Sequence, residues 1–127
     1  MSERVAIVGS RAERVDGRLT EGCWRRRAMV FDYVEALAFE SKETVIVTGG
    51  ADGVDQWAED AARKYGLRVE VIEPDWKKYG RRAGMIRNQE IVVACTRLVA
   101  FWDGTSKGAL DSIEKARKVG KSVEVYT

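Results

Sequence analysis

The chain of 127 residues contains no histidine, one proline and two cysteines. The absence of histidine excludes a Ser-His-Asp triad, a Cys-His pair and a histidine-ligated zinc site within this sequence. Cys23 and Cys95 form no C-x-x-C motif, which argues against a thioredoxin-type or structural zinc site, and we expect two reduced thiols in or near the core. No metal site is expected. The single proline excludes proline-rich linkers.

Long apolar segments are also absent. The longest apolar runs, Ile91–Cys95 and Leu98–Trp102, have five residues, whereas a membrane-spanning helix needs about 20. The first residues lack the apolar stretch of a secretory signal peptide. We therefore expect a cytoplasmic protein with no membrane partner, and the length predicts one domain over residues 1–127.

Positive charge is concentrated in two segments. Residues 4–27 contain seven arginines and three acidic residues, and residues 76–88 contain five basic residues and no acid. Because the net charge of the whole chain is only +2, the remaining residues are acidic on balance. This asymmetry indicates an anionic partner, with two solvated basic loops as the structural alternative.

Apolar patterning predicts alternating strands and helices. Short Val- and Ile-rich runs typical of buried strands occur at residues 5–8, 45–47, 68–73, 97–102 and 122–126. Helical spacing or composition occurs at residues 24–39, 54–65, 83–95 and 106–119. This order predicts an α/β fold, a three-layer, Rossmann-like open parallel sheet of about five strands with helices on both faces. The polar stretch from residue 10 to about 22 is predicted to be a functional flap or a disordered loop.

Three of the predicted strands end in turns that are unusually rich in glycine and polar residues. Glycine between a strand and a helix lets a ligand approach the main chain, and the helix N-terminus that follows favours an anion. The turns are Gly9–Arg11, Thr48–Asp55 and Trp102–Gly108. Their spacing matches neither a dinucleotide fingerprint nor a P-loop. They predict a phosphate-binding edge, whereas tight strand-to-helix turns are the structural alternative.

Polar residues near these turns have two interpretations each. Asp52 can cap the second helix, and Asp55 lies in its first turn, where a carboxylate is favoured; either could instead bind a ribose hydroxyl. Arg87 and Asn88 can bind phosphate oxygens and a base or sugar edge, or lie on an ordinary helix surface. Trp102 either stacks on a base or closes the core. The basic segment 76–82 follows the third strand and is expected at the same edge.

The ordered set of motifs resembles the SLOG superfamily, and more narrowly its YspA-related branch. The resemblance covers nearly the whole chain and is carried by Gly49–Asp55, Trp76–Gly80, Ala83–Asn88 and Ala100–Gly108. It implies a Rossmann-like domain that binds a nucleotide or nucleotide-derived, phosphate-bearing ligand, as a sensor, carrier or processing accessory. It also implies that the Gly49–Asp55 turn and the Asp103–Gly108 turn hold phosphate and that Arg87 and Asn88 line the pocket.

The last turn departs from the P-G-G-x-G-T-x-x-E pattern of the LOG phosphoribohydrolases, which are members of this superfamily. Gly108 is followed by A-L-D-S, so neither the threonine nor the glutamate is at its place. Whether the chain is an enzyme stays open. A nucleotide-processing hydrolase of phosphoribohydrolase type is one alternative function, and single-stranded nucleic acid binding, as in the relative DprA, is another. The catalytic residues are unknown, and Asp55 and Asp103 are the candidate acids.

The predicted site combines the three turns with two polar residues of the third helix. Its predicted ligand-binding residues are Gly9, Ser10, Arg11, Thr48, Gly49, Gly50, Gly53, Asp55, Arg87, Asn88, Trp102, Asp103, Gly104, Ser106 and Gly108. The expected partner is a nucleotide-like small molecule, without a further cofactor. A nucleic acid is the less favoured partner because a net charge of +2 is low for such binding. The resemblance also leaves a homodimer open.

Overall fold

The structure is a computed structural model that describes residues 2–127. Its strands, in chain order, are β1 Arg4–Gly9, β2 Arg14–Val15, β3 Arg18–Leu19, β4 Val45–Thr48, β5 Arg68–Val71, β6 Arg97–Phe101 and β7 Ser122–Tyr126. Its helices are α1 Glu21–Glu40, α2 Val54–Lys64, α3 Trp76–Tyr79, α4 Ala83–Ala94 and α5 Lys107–Lys118, with a 3₁₀ turn at Gly80–Arg82.

A five-stranded parallel sheet in the order β5-β4-β1-β6-β7 forms the centre of the molecule. β1 pairs with β4 on one side, where Val5 lies opposite Ile46, and with β6 on the other, where Ala6 lies opposite Leu98. The chain moves outward from β1 to β5 and then returns to the opposite side of β1. The predicted α/β fold class is confirmed.

Both faces of the sheet are covered by helices. Val5 and Ile7 of β1 pack with buried residues of α1 and α2, whereas Ala6 and Val8 pack with buried residues of α4 and α5. This two-sided burial explains why the three central strands β1, β4 and β6 contain continuous apolar runs, whereas the edge strands β5 and β7 alternate apolar and polar residues. The predicted stripe of α2 is confirmed by its buried residues Val54, Trp57, Ala58, Ala61 and Ala62.

The polar stretch after β1 forms a small hairpin of β2 and β3 rather than an irregular loop. Its two turn residues, Asp16 and Gly17, have φ angles of 50° and 78°, which are typical of a type I′ turn. Thr20 then caps α1 by accepting a hydrogen bond from the Cys23 amide. The helix consequently begins at Glu21, three residues before the predicted start.

The basic segment after β5 contains the short helix α3, which the apolar pattern does not predict. Asp75 caps it by accepting a hydrogen bond from the Lys78 amide at 3.0 Å, and Gly80 ends it with a φ angle of 57°. The Asp-to-Gly spacing is a capping signal of the kind that helix ends require. The segment is therefore a structured turn that leads directly into α4.

Cys23 and Cys95 are buried free thiols, as predicted. Among the helices of residues 2–127, none combines the length and the apolar character that crossing a membrane would require.

The carboxyl ends of β1 and β6 mark the point where the strand order reverses. Gly9 lies opposite Phe101, and the Ser10 amide donates to the Phe101 carbonyl at 3.1 Å. In open α/β sheets, ligands bind in the crevice beside such a reversal. The topology therefore makes the residues that follow these two strands the first candidates for a site.

Candidate functional site

Three clefts at the carboxyl edge of the sheet share Arg11 and Arg87. The central cleft, about 500 Å³, lies between the end of β1, the first turn of α5 and residues Arg87, Asn88 and Ile91 of α4. The Trp76 cleft, about 330 Å³, lies beside Gly49–Ala51, Glu73, Pro74 and Trp76. The Met85 cleft, about 440 Å³, lies between α4 and α5. The Trp76 cleft and the Met85 cleft therefore both border the central cleft and are called the outer clefts, and the three together are called the trough.

The structure brings most of the predicted site residues to this trough. Those that line the central cleft are Gly9, Arg11, Asp55, Arg87, Asn88, Asp103, Ser106 and Gly108. Those that line the Trp76 cleft are Gly49 and Gly50, together with Arg11 and Arg87. The predicted residues that line none of the three clefts are Ser10, Thr48, Gly53, Trp102 and Gly104.

The first turn of α5 forms one wall of the central cleft. Lys107, Gly108 and Ala109 line the cleft, and the first backbone amides of a helix have no partner inside the helix. Within the described residues, no side chain caps this helix end. A β-carbon added to Gly108 would meet nothing within 4 Å, so the space beside its backbone is open. This wall combines partial positive charge with room for an anion.

Asp103 holds the loop that leads into α5. Its Oδ1 accepts hydrogen bonds from the amides of Thr105 at 2.9 Å and Ser106 at 2.8 Å. Burial opposes ionisation, but these hydrogen bonds outweigh it and lower the pKa of Asp103 below its ordinary value. An ionised carboxylate cannot donate a proton, so the structure favours a structural role for Asp103 over the predicted role of acid.

The end of the turn between β4 and α2 is covered by the chain itself, which corrects the prediction that Gly53 is open to a ligand, whereas Gly49–Ala51 of the same turn line the Trp76 cleft. Arg11 forms a β-bridge with Gly53, and the Val54 amide donates to the Ser10 carbonyl at 3.2 Å. A β-carbon on Gly53 would lie 2.5 Å from the Ala12 backbone nitrogen. Gly53 thus allows two backbone segments to pack closely.

Gly9 lines the central cleft, as predicted, but close packing leaves no space for a side chain on its Cα. A β-carbon there would clash with the Phe101 carbonyl oxygen and would lie 2.7 Å from a methyl group of Val54. Although Gly9 forms part of the cleft wall, its lack of a side chain serves the packing of β1 against β6 and α2.

Ser10, Thr48 and Trp102 support the edge instead of lining it, which corrects their assignment as ligand-binding residues. The Ser10 Oγ accepts a hydrogen bond from the Asp103 amide at 2.8 Å. The Thr48 hydroxyl donates to the Ile7 carbonyl at 2.7 Å, and the Trp102 ring nitrogen donates to the Ser106 carbonyl at 2.9 Å. Trp102 also packs against the core, which agrees with the interpretation that it closes the core.

Asp52 does not cap α2. Its carboxylate pairs with the Arg14 guanidinium at 2.6 Å, and the hydrogen bond from Arg14 lowers the pKa of Asp52. The residue that precedes α2 is Gly53, which has no side chain to cap with. Asp52 therefore joins the β2–β3 hairpin to the turn.

Asp55 lies on the floor of the central cleft. Its Oδ2 accepts a hydrogen bond from the Ala51 amide at 3.2 Å, and only 7% of the residue is exposed. Burial raises the pKa of Asp55 to about 6, although the Ala51 amide and the Arg87 charge oppose this shift. Asp55 in the first turn of α2 is as predicted. It is the buried carboxyl group of the site that can change protonation near neutral pH.

Arg87 crosses the turn after β4 and is held there by two contacts. Its Nη1 donates to the Gly49 carbonyl at 2.5 Å, and its Nε donates to the Asn88 Oδ1 at 3.0 Å. A β-carbon on Gly49 would lie 2.5 Å from the same Nη1 and 2.9 Å from the Asp55 Oδ2. Glycine is required at this position because the Arg87 and Asp55 side chains occupy the space.

Asn88 connects α4 to α5. Its Nδ2 donates to the Asp111 Oδ2 at 3.0 Å and to the Gly108 carbonyl at 3.4 Å, while its Oδ1 accepts from Arg87. Lys115 also donates to the Asp111 Oδ2, at 2.7 Å. With both of its polar atoms engaged, Asn88 orients Arg87 and the first turn of α5.

Replacing Asn88 by aspartate should lower the free energy of unfolding by about 2 kcal/mol, because a buried donor becomes a carboxylate that faces Asp111. Urea denaturation measures the change. The double variant Asn88→Asp/Asp111→Asn restores a donor on the other side and should recover more than half of the loss. A double variant as unstable as the sum of the two single variants would contradict this role.

The central cleft includes residues that the predicted set omits. Lys107 and Ala109 lie beside predicted residues in the first turn of α5, and Ser112 lies four residues after Gly108. The (i, i+4) spacing places Gly108 and Ser112 on one helix face, which is a signal available in the sequence. Arg81 and Met85 line the Met85 cleft, where only the packing of α4 against α5 brings them near the site.

The trough is lined by basic side chains from two separate segments of the chain. Within residues 2–127, no group of three or more His, Cys, Asp or Glu side chains could hold a metal ion. Basic side chains come from both basic segments, since Arg11 and Arg87 line all three clefts.

The reversal of strand order and the cleft at that point define a Rossmann-like α/β domain. The chain belongs to the YspA, cpYpsA-related SLOG family, whose sequence profile matches residues 3–79. It is 35% identical to the gene 61 protein of Mycobacterium phage D29, an alignment that covers 92% of this chain and 90% of that protein. The predicted resemblance is confirmed.

Solved structures with the same fold include TM1055, with a TM-score of 0.74 and 21% identity over 95% of this chain and 72% of that one. DNA processing protein A (DprA) from Streptococcus pneumoniae has a TM-score of 0.76 and 23% identity to this chain, which covers 50% of the length of DprA. DprA from Helicobacter pylori has a TM-score of 0.72 and 18% identity, with 64% of its chain covered. That structure is described for its single-stranded DNA binding mode. At these identities the comparisons show the fold.

Proposed function

We propose that this protein binds a nucleotide or nucleotide-derived ligand in the central cleft, with a phosphate group against the first turn of α5. The observation that carries the proposal is the convergence of Arg11, Arg87 and Lys107 with the first backbone amides of α5 in one cleft. A cleft of about 500 Å³ also lies in the size range of small-molecule sites.

The basic groups of the cleft can bind a phosphate beside the carboxylates of Glu13, Asp55 and Asp103, which line the same cleft. The guanidinium of Arg87 can use donors not committed to Gly49 and Asn88 to bind phosphate oxygens. Lys107 adds a point charge beside the helix N-terminus, where the dipole already favours an anion. Asp55 offers an acceptor for a ribose hydroxyl, as the sequence predicts. Membership of a SLOG family supports a nucleotide rather than another phosphate compound.

Gly108→Leu should weaken ADP binding at least about tenfold, because the new side chain would occupy the open space beside the first amides of α5. Calorimetric titration measures the affinity. Gly22→Leu is the matched control, since Gly22 is the second residue of α1, as Gly108 is of α5. A leucine β-carbon at Gly22 meets only the end of Arg25, at 4.0 Å, so the control should fold and bind like the wild-type protein.

Two results would contradict the proposed function. One is the absence of binding heat and of any thermal shift with AMP, ADP and NAD at millimolar concentration. The other is an equal loss of affinity in both glycine variants, which would show that the effect is not local to the central cleft.

Single-stranded nucleic acid is a second candidate partner. Trp76 is 56% exposed, Lys77 and Lys78 follow it in α3, and aromatic rings interleaved with basic residues suit stacked bases with a neutralised backbone. DprA from H. pylori, which shares the fold, has a single-stranded DNA binding mode. An oligonucleotide titration at two salt concentrations tests it, because contacts to several phosphates would give a steep salt dependence.

A further inference from the structure

We infer that the ligand carries its phosphate groups between two nucleoside-like ends, as a dinucleoside diphosphate does. This inference rests on the proposed function and extends it to the class of ligand. It comes from the trough as a whole, because the central cleft shares Ala51 with the Trp76 cleft and shares Asn88, Lys107 and Gly108 with the Met85 cleft. A nucleotide with a single nucleoside would leave one outer cleft empty.

The two residues shared by all three clefts establish the continuity of the trough. Arg11 and Arg87 line the central cleft, the Trp76 cleft and the Met85 cleft alike. A diphosphate bound beside these two guanidinium groups would therefore lie next to both outer clefts. Whatever is attached to its two sides would extend into them.

Each outer cleft offers a carboxylate to a sugar. Glu73 lines the Trp76 cleft, and Asp111 and Glu114 line the Met85 cleft. The central cleft combines Arg11, Arg87 and Lys107 with Glu13, Asp55 and Asp103. Carboxylates accept hydrogen bonds from ribose hydroxyls and repel phosphates. A nucleic acid strand, with a phosphate on every nucleotide, would place negative charge against Glu73.

The Trp76 cleft provides a surface on which a base can stack. The Trp76 ring is 56% exposed, and the far end of its ring lies 3.8 Å from the position of a β-carbon on Gly84. The ring is thus supported on the α4 side, and it borders the cleft. Glu73 is close as well, since its Oε1 lies 3.5 Å from a β-carbon placed on Gly50. An aromatic plane beside a carboxylate suits a base and its ribose.

The Met85 cleft would hold the second end of the ligand. Met85 is 59% exposed and lines this cleft together with Leu110. The two side chains form an apolar surface next to Glu114 and Arg81. A flat ring can lie on such a surface, since methionine adapts its shape to what it contacts.

The experiment compares NAD, which has two nucleoside ends, with ADP, which has one, by calorimetric titration of the full chain. Wild-type protein should bind NAD at least about tenfold more tightly than ADP. Trp76→Ala should weaken NAD binding about tenfold and Met85→Ala about fivefold. ADP can occupy only one outer cleft, so its affinity should respond to one of the two variants at most. Trp24→Ala is the control, because Trp24 is 55% exposed but lies on α1.

The alternative outcomes are distinguishable. Equal affinities for NAD and ADP, or NAD binding that responds to only one of the two variants, would overturn the two-ended ligand and leave the proposed function intact. Binding of neither compound would overturn both. Tighter binding of an oligothymidine than of NAD, with a steep salt dependence, would replace the two-ended ligand by single-stranded nucleic acid.

Discussion

Gly53→Ala is expected to lower the free energy of unfolding by about 4 kcal/mol, the largest effect of any substitution considered for this protein. Two physical causes combine at this position. The backbone of Gly53 has a φ angle of 109° and a ψ angle of −133°, which an L side chain rarely adopts. In addition, a β-carbon would lie 2.5 Å from the Ala12 nitrogen and 2.6 Å from the Ser10 carbonyl oxygen.

Gly104→Ala is the matched control for Gly53→Ala. Gly104 also has a positive φ angle, of 88°, but a β-carbon there meets nothing within 4 Å. It should cost about 1 kcal/mol, the penalty for backbone strain alone. Urea denaturation of the two variants beside wild-type protein gives both values. Equal losses would show that the Ser10–Ala12 segment moves aside, contrary to the close packing around Gly53.

Asp55→Asn should remove a pH-dependent loss of stability of about 3 kcal/mol. The pKa of Asp55 rises from its ordinary value of 3.8 to about 6 in the folded protein, mainly because burial disfavours the carboxylate. The folded state then binds more protons than the unfolded state between these two values. The contribution of Asp55 to the free energy of unfolding therefore falls as pH rises from about 4 to about 6, and it stays low above that range.

The measurement is the difference in unfolding free energy between Asp55→Asn and wild-type protein, followed from about pH 4 to about pH 7. The variant should gain on the wild type by about 3 kcal/mol across this window, whatever constant offset the substitution adds. Asp103→Asn is the control of opposite sign. Its pKa is lowered in the folded protein, so its carboxylate stabilises the fold at neutral pH and the variant should lose stability there.

A flat difference for Asp55→Asn between these pH values would mean that Asp55 titrates at its ordinary pKa in the folded protein. If the expected slope is found, the native residue makes the protein less stable at neutral pH than an amide would. A carboxylate that is costly to bury and lies on the floor of a cleft is typical of a functional position. Its retention would then be explained by ligand binding rather than by folding.

Periodicity was sufficient to predict the sheet and the helices that cover it. Two-sided burial requires continuous apolar runs in the central strands, and the buried face of α2 requires apolar residues at (i, i+3, i+4) spacing. Both patterns are visible in the order of the residues. The hairpin after β1 also had a local signal in its Asp16-Gly17 pair. The arginine content of that stretch obscured this signal, because the segment reads as a charged loop when it is judged by composition.

The amino-acid order alone was enough to specify the α/β fold and the edge of the sheet that bears the glycine turns, because both depend on local patterns and on the common direction of parallel strands. Which turn can receive a ligand was decided only by tertiary packing. Residues 10–12 cover Gly53, whereas the space beside Gly108 stays open. Contacts between segments so far apart along the chain leave no trace in local spacing, and they determine which amides stay free for a ligand.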